Sequence, residues 1–170
     1  MTHLEPKIYV ACLAAYNNGY LHGEWINANQ DVDDLYLEIK KILASSPVPD
    51  AEEWAIHDYE DFGSLQVSEY ASLETISTLA SFIAEHNELG AAVLTYAGGD
   101  VGEAGRLLEE AYHGEFNSEE DFAMSFAEET MSVPENLSYY IDYEKMARDL
   151  FINDFFSIEV ENRVHVFSYS

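Results

Sequence analysis

The chain has 170 residues, 48% of them hydrophobic and 14% aromatic, and carries 33 Asp and Glu against 7 Lys and Arg, a formal net charge of −26. The apolar content excludes a disordered acidic tail, and the charge excludes direct binding to nucleic acid or to an anionic membrane, because like charges repel. A single cysteine, Cys12, excludes a disulfide framework and a thiolate metal cluster; no apolar run approaches the ~18 residues of a membrane span, and Met1 to Lys7 lack a signal-peptide pattern, so a cytoplasmic location is expected.

Ile8 to Ala15 is an apolar, partly β-branched run that ends in Tyr16-Asn17-Asn18-Gly19, which predicts a strand meeting a loop. Asp31 is placed to cap a helix over Val32 to Leu43, where Leu35, Ile39, Ile42 and Leu43 recur at helical spacing and Lys40 and Lys41 suit the last turn. Ser45 to Asp50 breaks that helix, and the alternation in Trp54 to Tyr59 predicts another strand. From Ser72, a cap residue, Leu73, Ile76, Leu79, Ala80 and Ile83 share one helical face, and Leu89 to Tyr96 continue with helix formers as far as Gly98-Gly99.

Asp100 then opens a further predicted helix through Leu107, Leu108, Ala111 and Tyr112, with Gly102 and Gly105 weakening its first turns. Asn117 to Asp121 supply a cap and an acidic first turn for a helix carrying Phe122, Phe126 and Met131, which Pro134 ends. A last helix is expected over Asp142 to Ile152, followed by a hairpin of Phe155 to Val160 and Arg163 to Phe167 that turns at Glu161-Asn162. The pattern predicts an α+β protein, an elongated chain of three small modules: a mixed N-terminal module over residues 1–62, a helical middle over 63–103 and a C-terminal α+β module over 104–170.

The acidic residues are spread rather than bunched. No Lys or Arg falls between Lys41 and Arg106, and none between Arg106 and Lys145. The first stretch holds Asp58, Glu60, Asp61, Glu69, Glu74, Glu85, Glu88, Asp100 and Glu103 among its acids; the second holds Glu109, Glu110, Glu115, Glu119, Glu120, Asp121, Glu128 and Glu129. Interleaved apolar residues allow a folded frame to hold such carboxylates apart, and fixed spacing is what imitation of a phosphate backbone requires. A duplex carries one charge per roughly 1.7 Å, so a net charge of −26 corresponds to the phosphates of about 13 base pairs. The plain alternative is a solvated acidic surface with no such role.

Leu107 to Ala123 (LLEEAYHGEFNSEEDFA), with Phe126-Ala127-Glu128-Glu129 following, resembles the antirestriction motif of the ArdA family. Ile8 to Asn17 (IYVACLAAYN), Leu21-His22-Gly23, Trp25-Ile26, Glu52 to Phe62 and Val164 to Phe167 extend the resemblance over nearly the whole chain. The resemblance implies a homodimer of three-module chains that originates on a mobile element and inhibits type I restriction-modification enzymes by imitating a bent duplex. It also implies that Leu107, Leu108, Tyr112, Gly114, Phe116, Phe122, Ala123 and Phe126 form the motif's scaffold, near functional or dimer contacts.

Other patterns carry no chemistry. Tyr112, Phe116, Phe122 and Phe126 read as core, as do Trp25, Trp54 and Cys12. Gly98 to Gly105 lacks the spacing of a phosphate loop, and Asp31-Val32-Asp33-Asp34-Leu35 lacks the Gly and Glu of a calcium loop, so helix capping explains it. His57-Asp58 and His86-Asn87-Glu88 lack a third metal ligand, no ordered catalytic triad is present, and Asn136-Leu137-Ser138 is an idle sequon. The expectation is a non-enzyme without cofactor or metal, whose partners are a type I restriction-modification enzyme and a second copy of itself. Arg106, Lys145, Arg148 and Arg163 are candidates for pairing between copies. Competing classes are a mimic of another cationic target, a calcium- or polycation-binding protein and a halophilic enzyme.

Overall fold

The computed structural model describes residues 3–169. The chain is α+β and divides into two compact units, Met1–Val101 and Gly102–Ser170.

In the first unit β1 (Lys7–Cys12) lies between β2 (Gly23–Asn27) and β3 (Trp54–Glu60), antiparallel to both. Alternation along β1 sends Ile8, Val10 and Cys12 into the core, all fully buried, against α2 (Val32–Ala44), whose Leu35, Ile39 and Ile42 form the buried stripe. The strand expected to reach Ala15 stops at Cys12, because Leu13–Asn17 turns into a short helix, α1, with Ala15 buried beneath it. The strand β2 is an element that sequence patterning did not reveal: only Ile26 of its five residues is buried. Asp31 occupies the cap position of α2, but its side chain makes no capping hydrogen bond.

Trp25 is corrected from core to surface. Its register partner is Tyr9, on the sheet face opposite Ile8 and Val10, and 42% of it stays exposed with its ring edge-on to Tyr9 at 5.6 Å. The Tyr9 ring lies over Gly23, where a Cβ would come within 2.9 Å of it.

Helix α3 (Leu73–Tyr96) starts where Ser72 Oγ accepts from the Thr75 amide at 3.1 Å. It buries Ile76, Leu79, Phe82 and Ile83 before a bend at Asn87, and Leu89, Val93 and Leu94 after it.

The second unit follows α4 (Val101–Arg106) with a single π-helical turn, Leu107–Ala111, and then β4 (Tyr112–Phe116). The helix expected to run through Tyr112 therefore ends early. Gly114 has φ +118, outside the helical range, and pairing of Tyr112–Phe116 with β6 outweighs the helical spacing of Leu107, Leu108 and Ala111. The helix α5 (Glu119–Thr130) is capped by Ser118, whose Oγ accepts from the Asp121 amide at 3.0 Å, and it ends at Thr130, four residues ahead of Pro134. Residues Glu135–Tyr140 form a 3-10 turn before α6 (Tyr143–Asn153), capped by Asp142. The hairpin β5 (Phe155–Val160) and β6 (Arg163–Ser168) turns at Glu161 and Asn162, both at positive φ (51° and 66°) as a two-residue primed turn requires. The sheet order is β4-β6-β5, and Phe122, Phe155 and Val166 make the buried centre, with Phe116, Phe126, Leu150, Phe151 and Val164 packed around it.

Candidate functional site

Across the described residues His165 is the one buried polar or charged residue, so every Asp and Glu side chain reaches water. Within the first unit Asp58 and Glu60 stand on β3 with Asp61 just beyond it, Glu69 is in the following loop, Glu74 is in the first turn of α3, Glu85 and Glu88 flank its bend, and Asp100 precedes α4. Within the second unit, Glu103 is on α4, Glu109 and Glu110 on the π turn, Glu115 on β4, Glu119, Glu120 and Asp121 in the first turn of α5, and Glu128 and Glu129 in its last. Glu88, Glu103 and Glu119 are half-buried and the other fourteen are exposed.

Four of these carboxylates hold the fold. Asp61, at φ +64°, accepts from the Glu5 amide at 3.1 Å. Glu119 accepts from Ser157 Oγ at 2.6 Å, tying α5 to β5. Glu115 receives Arg163 Nε at 2.8 Å, while Arg163 also donates to Asn117 Oδ1. Glu103 receives Arg106 through both Nε and a terminal nitrogen, at 3.0 and 2.7 Å. That hydrogen-bonded pair holds the Glu103 carboxyl below the usual carboxylate range and raises the Arg106 guanidinium. Arg106 and Arg163 are thus engaged within their own chain.

The remaining acids have few cations to meet. Among the described residues, Arg ion pairs involve Glu103, Glu115 and, at 3.9 Å, Glu144. The second unit alone carries sixteen acidic against four basic side chains, net −12. The acidic first turn of α5 suits the helix dipole, but Glu128 and Glu129 sit at its negative end, with no basic residue in that turn. Each anion so placed opposes stability by about 0.3–1 kcal/mol, so helix stability does not account for this pair. Along α5 five carboxylates span 12 residues, about 18 Å, whereas a duplex carries about ten charges over that length. One helix is too sparse, and phosphate-like density needs several elements together.

The resemblance region spans two irregular elements, the π turn and a register shift in β4 between Tyr112 and Gly114, and both features recur at functional sites in proteins. Beside them Tyr112 Oη is hydrogen-bonded to Nδ1 of buried His165 at 2.7 Å. Burial raises the Tyr112 phenol and lowers the His165 imidazole. A folded-state value below the unfolded one means that His165 favours folding above about pH 6.5 and that this stability is lost as pH falls through the depressed value. Relief of carboxylate repulsion acts in the opposite direction on acidification, so the contrast with a variant isolates the histidine. Between pH 7 and 5, urea denaturation should show wild-type stability falling relative to His165→Gln; parallel curves would show that His165 does not carry this dependence.

Sequence reasoning left out Glu144 and Glu159, which lie close to or beyond Lys145, where the basic-free stretch ends. They line an open groove of about 480 Å3 with Glu119, Glu120 and Arg148. Of the motif aromatics expected in the core, Phe122 is buried and Tyr112, Phe116 and Phe126 are half-buried. His57 stacks edge-on to Tyr16 and lies 3.5 Å from Glu69, while His86 packs on Phe82. Among the described residues no group of three His, Cys, Asp or Glu is placed to hold a metal ion, and no helix is long and apolar enough to cross a membrane.

These features define a class: a folded acidic α+β protein that displays carboxylates from ordered elements. The antirestriction protein (ArdA) family matches residues 8–162, and the chain belongs to that family. No match was found among curated proteins.

Proposed function

We propose that this antirestriction protein occupies the DNA-binding groove of a type I restriction-modification enzyme, its carboxylates standing where phosphates would lie. The observation that carries the reading is that fourteen of the seventeen candidate carboxylates are exposed, eleven of them on helices, strands or the π turn, with few arginines to neutralise them. Groove lysines and arginines that gain affinity from phosphates gain it from these groups without any base being read. Inhibition then follows from occupancy and involves no bond chemistry. A homodimer doubles the charge available to a long groove, with hydrophobic contact offsetting the repulsion between copies.

The direct test is competition for the methyltransferase core of a type I enzyme. The protein is expected to displace bound duplex stoichiometrically; duplex retained at saturating inhibitor would refute the reading. Because exposed charge pairs are individually weak, Glu120→Gln alone is expected to change binding by no more than about fivefold. A loss above tenfold from that change would show a focused rather than distributed site.

A further inference from the structure

Asn87 lies inside α3 at φ 55°, ψ −140°, a conformation that glycine adopts readily and other residues rarely do. Its side chain is committed as well: Asn87 Oδ1 accepts from the Leu4 amide at 3.2 Å and lies 3.1 Å from His3 Nδ1, which joins the segment ahead of β1 to the bend. Gly90 completes the arrangement, since a Cβ there would sit 2.3 Å from the Cβ of His86. Glu85 and Glu88 stand on the two sides of the break.

We propose that Asn87 is a positioning residue: its backbone makes the bend, its amide pins residues 3–4 against it, and together they fix the angle between Glu85 on one half of α3 and Glu88 on the other. Apart from Gly90, nothing local otherwise interrupts the helix, because Glu85, His86 and Glu88 all tolerate helical geometry. Strain held in the middle of a helix is retained when the surroundings demand it, and here the halves on both sides bury apolar residues. The consequence for the partner rests on the carboxylate reading above; the consequence for the bend does not.

Three variants separate these roles. Asn87→Ala disfavours the positive φ, Asn87→Gly permits it but removes the amide latch, and Asn87→Asp keeps both the turn tendency and the acceptor. Spin labels at Thr78→Cys and Tyr96→Cys, both exposed, report the bend as a distance, while buried Cys12 escapes labelling. The separation should lengthen toward about 27 Å, the span of 18 residues of unbroken helix, in Asn87→Ala, and stay at the wild-type value in Asn87→Asp. In Asn87→Gly the mean distance should be kept but its distribution should broaden.

Displacement of duplex from the type I enzyme should weaken at least tenfold for Asn87→Ala and less than threefold for Asn87→Asp. An unchanged distance in Asn87→Ala would overturn the proposal whatever the wild type does with DNA. If Asn87→Ala fails to fold, an unbroadened distance in Asn87→Gly overturns the latch instead. A lengthened distance together with wild-type protein that leaves duplex bound would uphold the bend and remove the carboxylate reading.

Discussion

Phe122→Ala is expected to unfold most of the second unit while every charge in the chain is retained. The Phe122 ring is 4% exposed, and its centroid lies 4.9 Å from Phe155, 5.1 Å from Phe116, 5.6 Å from Phe151 and 5.9 Å from Phe126. Truncating such a ring costs about 3–5 kcal/mol, because the cavity among rings held by four elements closes only in part. Against a typical total of 5–15 kcal/mol, and less for a 69-residue unit, that removes most of the stability. Near-ultraviolet circular dichroism and urea denaturation read the loss. Inhibition should fall with it, although the net charge stays at −26. Inhibition at wild-type strength from an unfolded Phe122→Ala second unit would mean that charge alone suffices and that fixed placement does not matter. Phe122→Leu, which keeps most of the volume, should retain both folding and inhibition.

The second large effect comes from charge without loss of fold. Glu109, Glu110, Glu120, Glu128 and Glu129 are exposed, and no hydrogen bond or ion pair among the described residues engages their side chains. Changing all five to Gln leaves the aromatic centre, the Ser118 cap and the Glu119–Ser157 contact in place. At about 0.5–1 kcal/mol per contact the loss is about 2.5–5 kcal/mol, about sixtyfold or more in affinity for the type I enzyme. Stability should move the other way, since repulsion falls and two anions leave the negative end of α5. A binding loss accompanied by a lower melting temperature would assign these residues to the scaffold; unchanged binding would remove them from the contact surface.

Much of this organisation can be read in the chain itself. Helices α2, α5 and α6 announce themselves by apolar spacing and by cap residues that the structure places at their starts, although at α2 the Asp31 side chain does not bond. The terminal hairpin is equally plain, because Glu161 and Asn162 separate two β-rich runs by two residues. Where local pattern and tertiary pairing disagree, the pattern misleads. Leu107, Leu108 and Ala111 read as helix, yet pairing with β6 and the positive φ of Gly114 impose a π turn and then a strand. Trp25 looks like core by type but lies on the outward face of a strand whose own pattern is too weak to show.

For the candidate site the division has a similar cause. Acid-rich stretches without cations are visible directly, because charge is a property of the residue. Which acids support the fold is a property of distant partners: Asp61 depends on the Glu5 amide, Glu119 on Ser157, and Glu115 on Arg163. No local spacing encodes those meetings. The bend at Asn87 is hidden for the same reason, as its latch comes from residues more than eighty positions away.

The central claim is that ordered carboxylates compete for the cations that hold DNA phosphates, and ionic strength tests it most directly. Binding of the wild-type protein to a type I methyltransferase core should weaken at least about tenfold between 50 and 200 mM salt, with a logarithmic slope that becomes shallower in the five-Gln variant. An affinity indifferent to salt, or a slope that survives removal of those charges, would contradict it.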